Sequence, residues 1–396
     1  MKLSLTLASV FIGLCAHATP TPSPSPSPSP TPANLHCAAS NDQPTNIHTF
    51  FEAFHAGEND FRIFPDTPAI VEECLSLGVD ANTPTSLIKY FGGKPHTPLV
   101  TAILAGSYVC TTDDCVQSSV TIVTSLLNHK ADPNLLDGVY TPLAAALLTF
   151  HDYAIPLIKT LLSAGANPNA PDKSGKLPIQ SVIQARNQSN SAAVLNLLIS
   201  SGSRTVDVAG GEGGNLLHSI GCPNNSGCLD APFRSTPDPL KVSALISAGV
   251  DVNAKDSHGN TPLYYYAREA NADSVMAVLN AGADPNLVTS DGMALLGSIF
   301  LPRKLTDGYG YQDYDSEMYL VIKLLLEKGV PVNQRFADQK TALIMATIHE
   351  SPGGVLALLE SGADVTEKDS AGKTALDYAK ALKFYEIIDL LEKGSF

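Results

Sequence analysis

The feature that most constrains this chain is a cadence. Nine times, an apolar triplet spaced i, i+3, i+4 stands seven, four and three residues before a marker reading Gly-Ala-Asp or a variant of it. The markers begin at Gly78, Lys130 (a lysine in the glycine's place), Gly165, Gly202, Gly249, Gly282, Gly329, Gly362 and Gly394. The triplets are Val71/Cys74/Leu75, Val123/Leu126/Leu127, Ile158/Leu161/Leu162, Leu195/Leu198/Ile199, Val242/Leu245/Ile246, Val275/Val278/Leu279, Ile322/Leu325/Leu326, Val355/Leu358/Leu359 and Ile387/Leu390/Leu391. That spacing places three side chains on one helical face. A glycine just beyond suits the left-handed residue that closes a helix C-terminus. The pattern predicts nine short helices, each with one apolar face that needs a neighbour to cover it.

The distance between markers sets the architecture. Gly249 to Gly282 and Gly329 to Gly362 are 33 residues apart, and Gly362 to Gly394 is 32. Gly202 to Gly249 and Gly282 to Gly329 are 47 apart, room for a repeat and an insertion. Asp256-Ser257-His258-Gly259-Asn260-Thr261-Pro262-Leu263 and Gly282-Ala283-Asp284-Pro285-Asn286 resemble the opening and closing motifs of ankyrin repeats. Asp369 to Leu376 repeats the opening with Ala375 for proline. His96-Thr97-Pro98-Leu99 and Tyr140-Thr141-Pro142-Leu143 keep its centre. Leu177-Pro178 replaces Thr-Pro, and Asn215-Leu216-Leu217-His218 is one residue short, so those two repeats are expected to pack less regularly. The resemblance implies an all-α ankyrin-repeat solenoid of about nine helix-turn-helix repeats, with hairpin loops and several insertions. Stacked neighbours would share one continuous core. The repeat domain is expected over 36–396, with a degenerate N-terminal cap repeat at 36–90. A C-terminal cap is expected at 369–396, its outer face carrying Lys380, Lys383, Glu386 and Glu392.

Ahead of the repeats lie two other segments. Lys2, the apolar run Leu3 to Cys15 and Ala16-His17-Ala18 have the plan of an export signal over residues 1–18. The run is too short to span a bilayer as a helix. A competing reading makes Cys15 a lipid anchor, although Leu14 stands where a small residue is wanted. Residues 19–35 form a Ser/Thr-Pro linker that reads as an extended polyproline spacer. The expected location is exported, periplasmic or secreted, with the bacterial periplasm favoured by the short, simple signal. Cysteine usage fits an oxidising space: six remain beyond Cys15. Cys110 with Cys115 and Cys222 with Cys228 read as local disulfides. Cys37 with Cys74 is the third pairing, set against Cys74 serving as a small core hydrophobe.

The formal net charge is -14, and no cluster of Lys and Arg stands out. Nucleic acid is therefore not an expected partner, and no later stretch reads as a membrane span. No catalytic motif survives its context. There is no Gly-x-Ser-x-Gly, and His349-Glu350 has no second histidine at metalloprotease spacing. Gly210 to Gly214 lacks a following Lys-Ser/Thr and reads as a hairpin turn. His218 fits a repeat position used for local hydrogen bonding, and Asp132, Asp251, Asp284 and Asp364 recur in phase as turn residues. The chain is expected to be a monomeric binding protein without catalysis, cofactor or metal, its partner another protein.

The resemblance implies binding through a concave face of hairpin tips and inner helices. Its residue-by-residue candidates are Ser257, His258 and Asn260, then Arg268 and Glu269, then Lys173, Ser174 and Lys176. A second candidate is the insertion from Leu301 to Tyr319, where Tyr309, Tyr311 and Tyr314 sit among glycines and aspartates. Tyrosines with flexible neighbours suit binding surfaces; the alternative is an insertion packed back on its own repeat. Two narrower roles fit an exported binder: an inhibitor or immunity-type protein against a secreted enzyme, and a secreted effector that binds a foreign protein.

Overall fold

The computed structural model describes residues 67–83, 96–109, 113–148, 154–185, 190–210, 213–221, 237–286, 294–300 and 311–393. The signal and spacer segments, Cys37, Cys110, Cys222, Cys228, Tyr309 and Gly394 lie outside them. The described residues form seventeen α-helices. An isolated β-bridge joins Arg335 and Thr341. Helix α1 (Thr67–Ser76) leads, and eight pairs follow. These are α2 (Pro98–Val109) with α3 (Asp113–Asn128), α4 (Pro142–Ala146) with α5 (Ala154–Ser163), and α6 (Pro178–Gln184) with α7 (Ser191–Ser200). Next come α8 (Leu216–Gly221) with α9 (Pro239–Ser247), α10 (Pro262–Arg268) with α11 (Ala272–Asn280), and α12 (Leu295–Ser298) with α13 (Tyr311–Glu327). The last are α14 (Ala342–Ile348) with α15 (Pro352–Glu360) and α16 (Ala375–Leu382) with α17 (Tyr385–Lys393). Even-numbered inner helices pack on inner helices, and odd-numbered outer helices on outer ones, from each unit to the next.

The apolar triplets lie on the outer helices, and their first two positions carry the stack. From Val71/Cys74 to Val355/Leu358 every such side chain is wholly inaccessible, and only Leu390 in the last unit is half-exposed. Together with the inner helices they form one continuous core. Each outer helix from α1 to α15 ends on a left-handed residue. Seven glycines, Gly78 to Gly362, have φ between 83° and 92°, and Lys130 holds the same place at φ 68°. The closing bonds repeat in register, as in Gly282 N–H to Leu279 O (3.1 Å) and Ala283 N–H to Val278 O (2.9 Å). Inner helices start on proline at α2, α4, α6 and α10, where a missing N–H costs nothing. Thr141 and Thr341 cap α4 and α14 with their hydroxyls. Leu177 cannot cap, and Gln180 reaches back instead, its Oε1 accepting the Leu177 N–H at 2.9 Å.

A second set of bonds couples the units. Asn134 donates to Gly165 O (3.0 Å) and accepts from Asn167 N–H (2.6 Å) in the next unit. Asn82, Asn169 and Asn253 make the same pair of bonds, each about one repeat further on. Where Val206 occupies this position, the step is bridged differently. Thr205 Oγ1 donates to Ala248 O (3.3 Å), and Asn215 Nδ2 to Asp251 O (2.7 Å).

One expectation needs correcting. From Tyr311 to Tyr319 the chain is not an insertion loop but the first half of α13, which runs 17 residues. Met318, Val321, Ile322 and Leu325 make one buried stripe that carries the helix backward past its triplet. Two acids on the extension serve the flanking units. Glu317 accepts the Ala272 N–H that opens α11 (3.2 Å). Asp315 accepts the Gly353 N–H (2.6 Å) and the Ser351 hydroxyl (2.7 Å) that open α15. Gly353 permits this approach, since a Cβ there would stand 2.5 Å from the Asp315 carbonyl oxygen.

Cys74 and Cys115 are disulfide-bonded, with partners outside the described residues. No described helix is long and apolar enough to cross a membrane.

Two variants test this account. Lys130→Gly relieves left-handed strain where nothing crowds the equivalent glycines, and should raise unfolding stability by about 1 kcal/mol in urea melts. Asn253→Ala removes both inter-unit bonds and should lower it by about 1–2 kcal/mol.

Candidate protein-binding face

Four of the described hairpin loops are organised by the aspartate that opens them. Asp256 Oδ1 accepts the N–H groups of His258 and Asn260, both at 2.9 Å, and Oδ2 accepts the Tyr265 hydroxyl. Asp369 repeats this with Ala371, Lys373 and the hydroxyl of Tyr378. Asp172 takes Ser174 and Lys176 N–H and the Ser174 hydroxyl. Asp137 takes Val139 and Tyr140 N–H, with His96 of the preceding unit on its other oxygen. For Asp137 and Asp172 burial pushes the carboxyl pKa up, but the hydrogen bonds outweigh it and hold the pKa below the usual value. For Asp369 the Tyr378 hydroxyl leads the same lowering. These carboxylates are consumed by loop geometry. The glycine-rich hairpin likewise closes on itself, Gly210 N–H donating to Gly214 O at 2.6 Å.

The expected contact residues separate into two groups. Lys173, Ser174, Ser257 and His258 are exposed at the hairpin tips, and Lys176 and Glu269 are half-buried. Asn260 and Arg268 are only 8% and 7% exposed. Asn260 Nδ2 donates to the Tyr265 hydroxyl (3.4 Å). Arg268 Nη1 donates to the Tyr264 hydroxyl (3.0 Å), with its guanidinium 5.5 Å from that ring's centre. Both therefore build the unit, and they offer little surface. Tyr311 and Tyr314 fall on the first turn of α13, outside the hairpin loops.

Beneath the tips lies His218, 1% exposed. Its Nδ1 accepts the Asn215 N–H (3.1 Å), so Nε2 carries the proton and donates to Asn260 O in the next unit (3.1 Å). Burial pushes the imidazole pKa down, against bonds and the Asp256 charge that favour protonation. Three further side chains escaped sequence reasoning. Tyr265 and Tyr378 each stand nine residues after the aspartate they bind, a spacing visible only once the loop closes. Lys241, on α9, is 3% exposed and donates to Val182 O (3.1 Å) and Ala185 O (2.8 Å), capping the end of α6.

Comparison with known proteins agrees with this geometry. Residues 258–290, the unit of α10 and α11, match the family model described as Ankyrin repeat. The chain is 30% identical over 171 residues to the nuclear factor NF-kappa-B p105 subunit of Gallus gallus, covering 42% of this chain and 15% of that protein. It is 29% identical over 147 residues to putative ankyrin repeat protein FPV244 of Fowlpox virus, 37% and 19% of the two chains. With neurogenic locus notch homolog protein 2 of Homo sapiens it shares 28% identity over 204 residues, 48% and 7% of the two chains. It thus spans less than a fifth of each of these relatives.

The neutral, buried His218 gives a pH dependence with a definite sign. Its folded pKa lies below its unfolded value of 6.5, so its contribution is complete above pH 6.5. As pH falls through that value the unfolded chain takes up a proton that the folded one refuses, and stability drops. His349, also pushed down by burial, acts in the same direction. The urea midpoint should therefore fall between about pH 7 and pH 5, before the carboxylates titrate near pH 4. In His218→Gln the fall should be shallower.

Proposed function

The chain carries ankyrin repeats, and from that premise we propose that it is a non-catalytic binding module for another protein. The contact surface is the row of hairpin tips with the inner helices beside them. One observation carries this reading. The acid and imidazole groups best placed for chemistry, His96, Asp137, Asp172, His218, Asp256 and Asp369, are each engaged in holding a loop, while the intervening tip side chains Lys173, Ser257 and His258 face outward. Rigid loops with variable exposed tips are what a scaffold for recognition requires, and fold alone does not name the target.

We further propose that the chain is exported and works in an oxidising space. The signal-like residues 1–18 support this, as do the disulfide-bonded Cys74 and Cys115. The proposed pairings are Cys74 with Cys37, Cys115 with Cys110, and Cys222 with Cys228. Cys37–Cys74 would tie the segment after the proline spacer to α1.

Affinity capture from the exported fraction, with disulfides intact and mass spectrometry as the readout, tests the reading. A stoichiometric protein partner is expected, and its capture should weaken when Ser257 and His258 are both replaced by bulky residues. Reproducible turnover of a small substrate by the purified chain would overturn it.

A further inference from the structure

The glycine-rich hairpin rests directly on the start of α8. A Cβ at Gly210 would stand 1.7 Å from the Asn215 carbonyl oxygen, and one at Gly214 would stand 2.5 Å from the His218 ring. Only glycine lets a loop backbone come so close. The loop closes through Gly210 N–H, which donates to Gly214 O at 2.6 Å. That oxygen belongs to the same peptide group as the Asn215 N–H, which donates to His218 Nδ1 at 3.1 Å. One planar unit therefore holds the hairpin by its oxygen and the imidazole by its nitrogen.

Nδ1 has a second neighbour. The side-chain oxygen of Asn215 lies 3.0 Å from it and already accepts the Leu217 N–H at 3.1 Å. A neutral ring with its proton on Nε2 offers Nδ1 as an acceptor and uses the backbone N–H. A protonated ring turns Nδ1 into a donor, and the side-chain oxygen is then the partner within reach. Bonds to the next unit are indifferent to this exchange. Nε2 donates to Asn260 O in both states, and Asn215 Nδ2 stays on Asp251 O (2.7 Å). Burial opposes a charge on the ring, and the nearby Asp256 favours one. Tyr265, also from the α10 side, meets the ring edge-on at 6.1 Å. Lys241 on α9 is turned to Val182 O and Ala185 O, and Arg268 on α10 to the Tyr264 hydroxyl. Helix α6, the third helix packed on α8, carries no charged residue.

We propose that His218 and Asn215 form an acid-operated latch for the glycine-rich hairpin. Proton uptake moves Nδ1 from the Asn215 N–H to the Asn215 side-chain oxygen. The stranded N–H then faces a donor, and an unmet buried N–H is costly. Its peptide group turns toward another acceptor, with Gly214 supplying the backbone freedom. The same turn carries Gly214 O away from Gly210 N–H. The hairpin opens while the seam between α8 and α10 stays bridged. This goes beyond the protein-binding reading and stands whether or not a partner uses that hairpin.

Hydrogen exchange of the full chain, followed by NMR between about pH 7.5 and pH 5 and corrected for intrinsic rates, tests the latch. The amides of Gly210 and Asn215 should lose protection by about fivefold or more as His218 takes up its proton. Those of α14 and α15 should keep theirs. His218→Gln should show no such pH dependence at the two amides. Two variants isolate the receiving oxygen, since both lose the bond to Asp251 O and only one keeps an acceptor beside Nδ1. Asn215→Asp should raise the pH at which the His218 ring titrates by about one unit or more, and Asn215→Ala should lower it. Loss of protection in every unit at the same pH overturns the proposal, as does retained protection of both amides in the charged state. Titration of Asn215→Asp no higher than that of the native chain also overturns it, a comparison that does not depend on Asn215→Ala folding.

Discussion

A helix of nine or ten residues followed by a tight turn leaves backbone groups at its end without partners, and in this chain the preceding unit supplies them. The asparagine two residues after the Asp or Asn of the turn offers its amide N–H to the carbonyl of the next unit's cap residue. Its oxygen accepts an N–H two residues further on. Unmet hydrogen bonds in such a place cost more than met ones gain, so each unit is complete only beside its neighbour. The apolar stripe makes the same demand. Val123, Leu126 and their counterparts are wholly buried only because another outer helix lies against them. Stability in such a stack is a sum over interfaces, with no central core to outgrow.

The same economy governs the loops. A hairpin that projects from a stack must hold its shape with few buried contacts, and in four of these loops one aspartate does so by accepting several donors at once. That use withdraws negative charge from the surface. What is left facing outward includes the exposed side chains of Lys173 and Ser257. Under the proposed binding role, recognition and folding fall to different side chains within the same five or six positions, so the first can vary without disturbing the second.

Much of this was legible in the sequence because it is local. The i, i+3, i+4 triplets and the residue that follows them named every outer helix from α1 to α17, including the lysine that substitutes for glycine at position 130. The opening motifs marked the inner helices; at the departures Leu177 and Asn215 the helix start is capped differently, and Asn215 also bridges to the next unit. What stayed hidden depends on a neighbour far along the chain. Arg268 and Asn260 look like surface residues in their motif, and their burial follows from Tyr264 and Tyr265 folding over them. Lys241 finds its carbonyls 56 and 59 residues away. The helical start of α13 was masked by its own composition. Glycines and tyrosines at 308–314 read as a loop, while the stripe that makes α13 helical includes Met318 and residues after it.

The long α13 has a consequence for how the stack comes apart. A linear array frays from its ends, because a terminal unit has one interface and an interior unit two. Asp315 and Glu317 add bonds from a single helix to the starts of both flanking outer helices. Fraying that enters through α16 and α17 therefore meets a clamp spanning three units. Loosening from that side should therefore be arrested between α11 and α15, with amide protons there exchanging more slowly than those of α16 and α17.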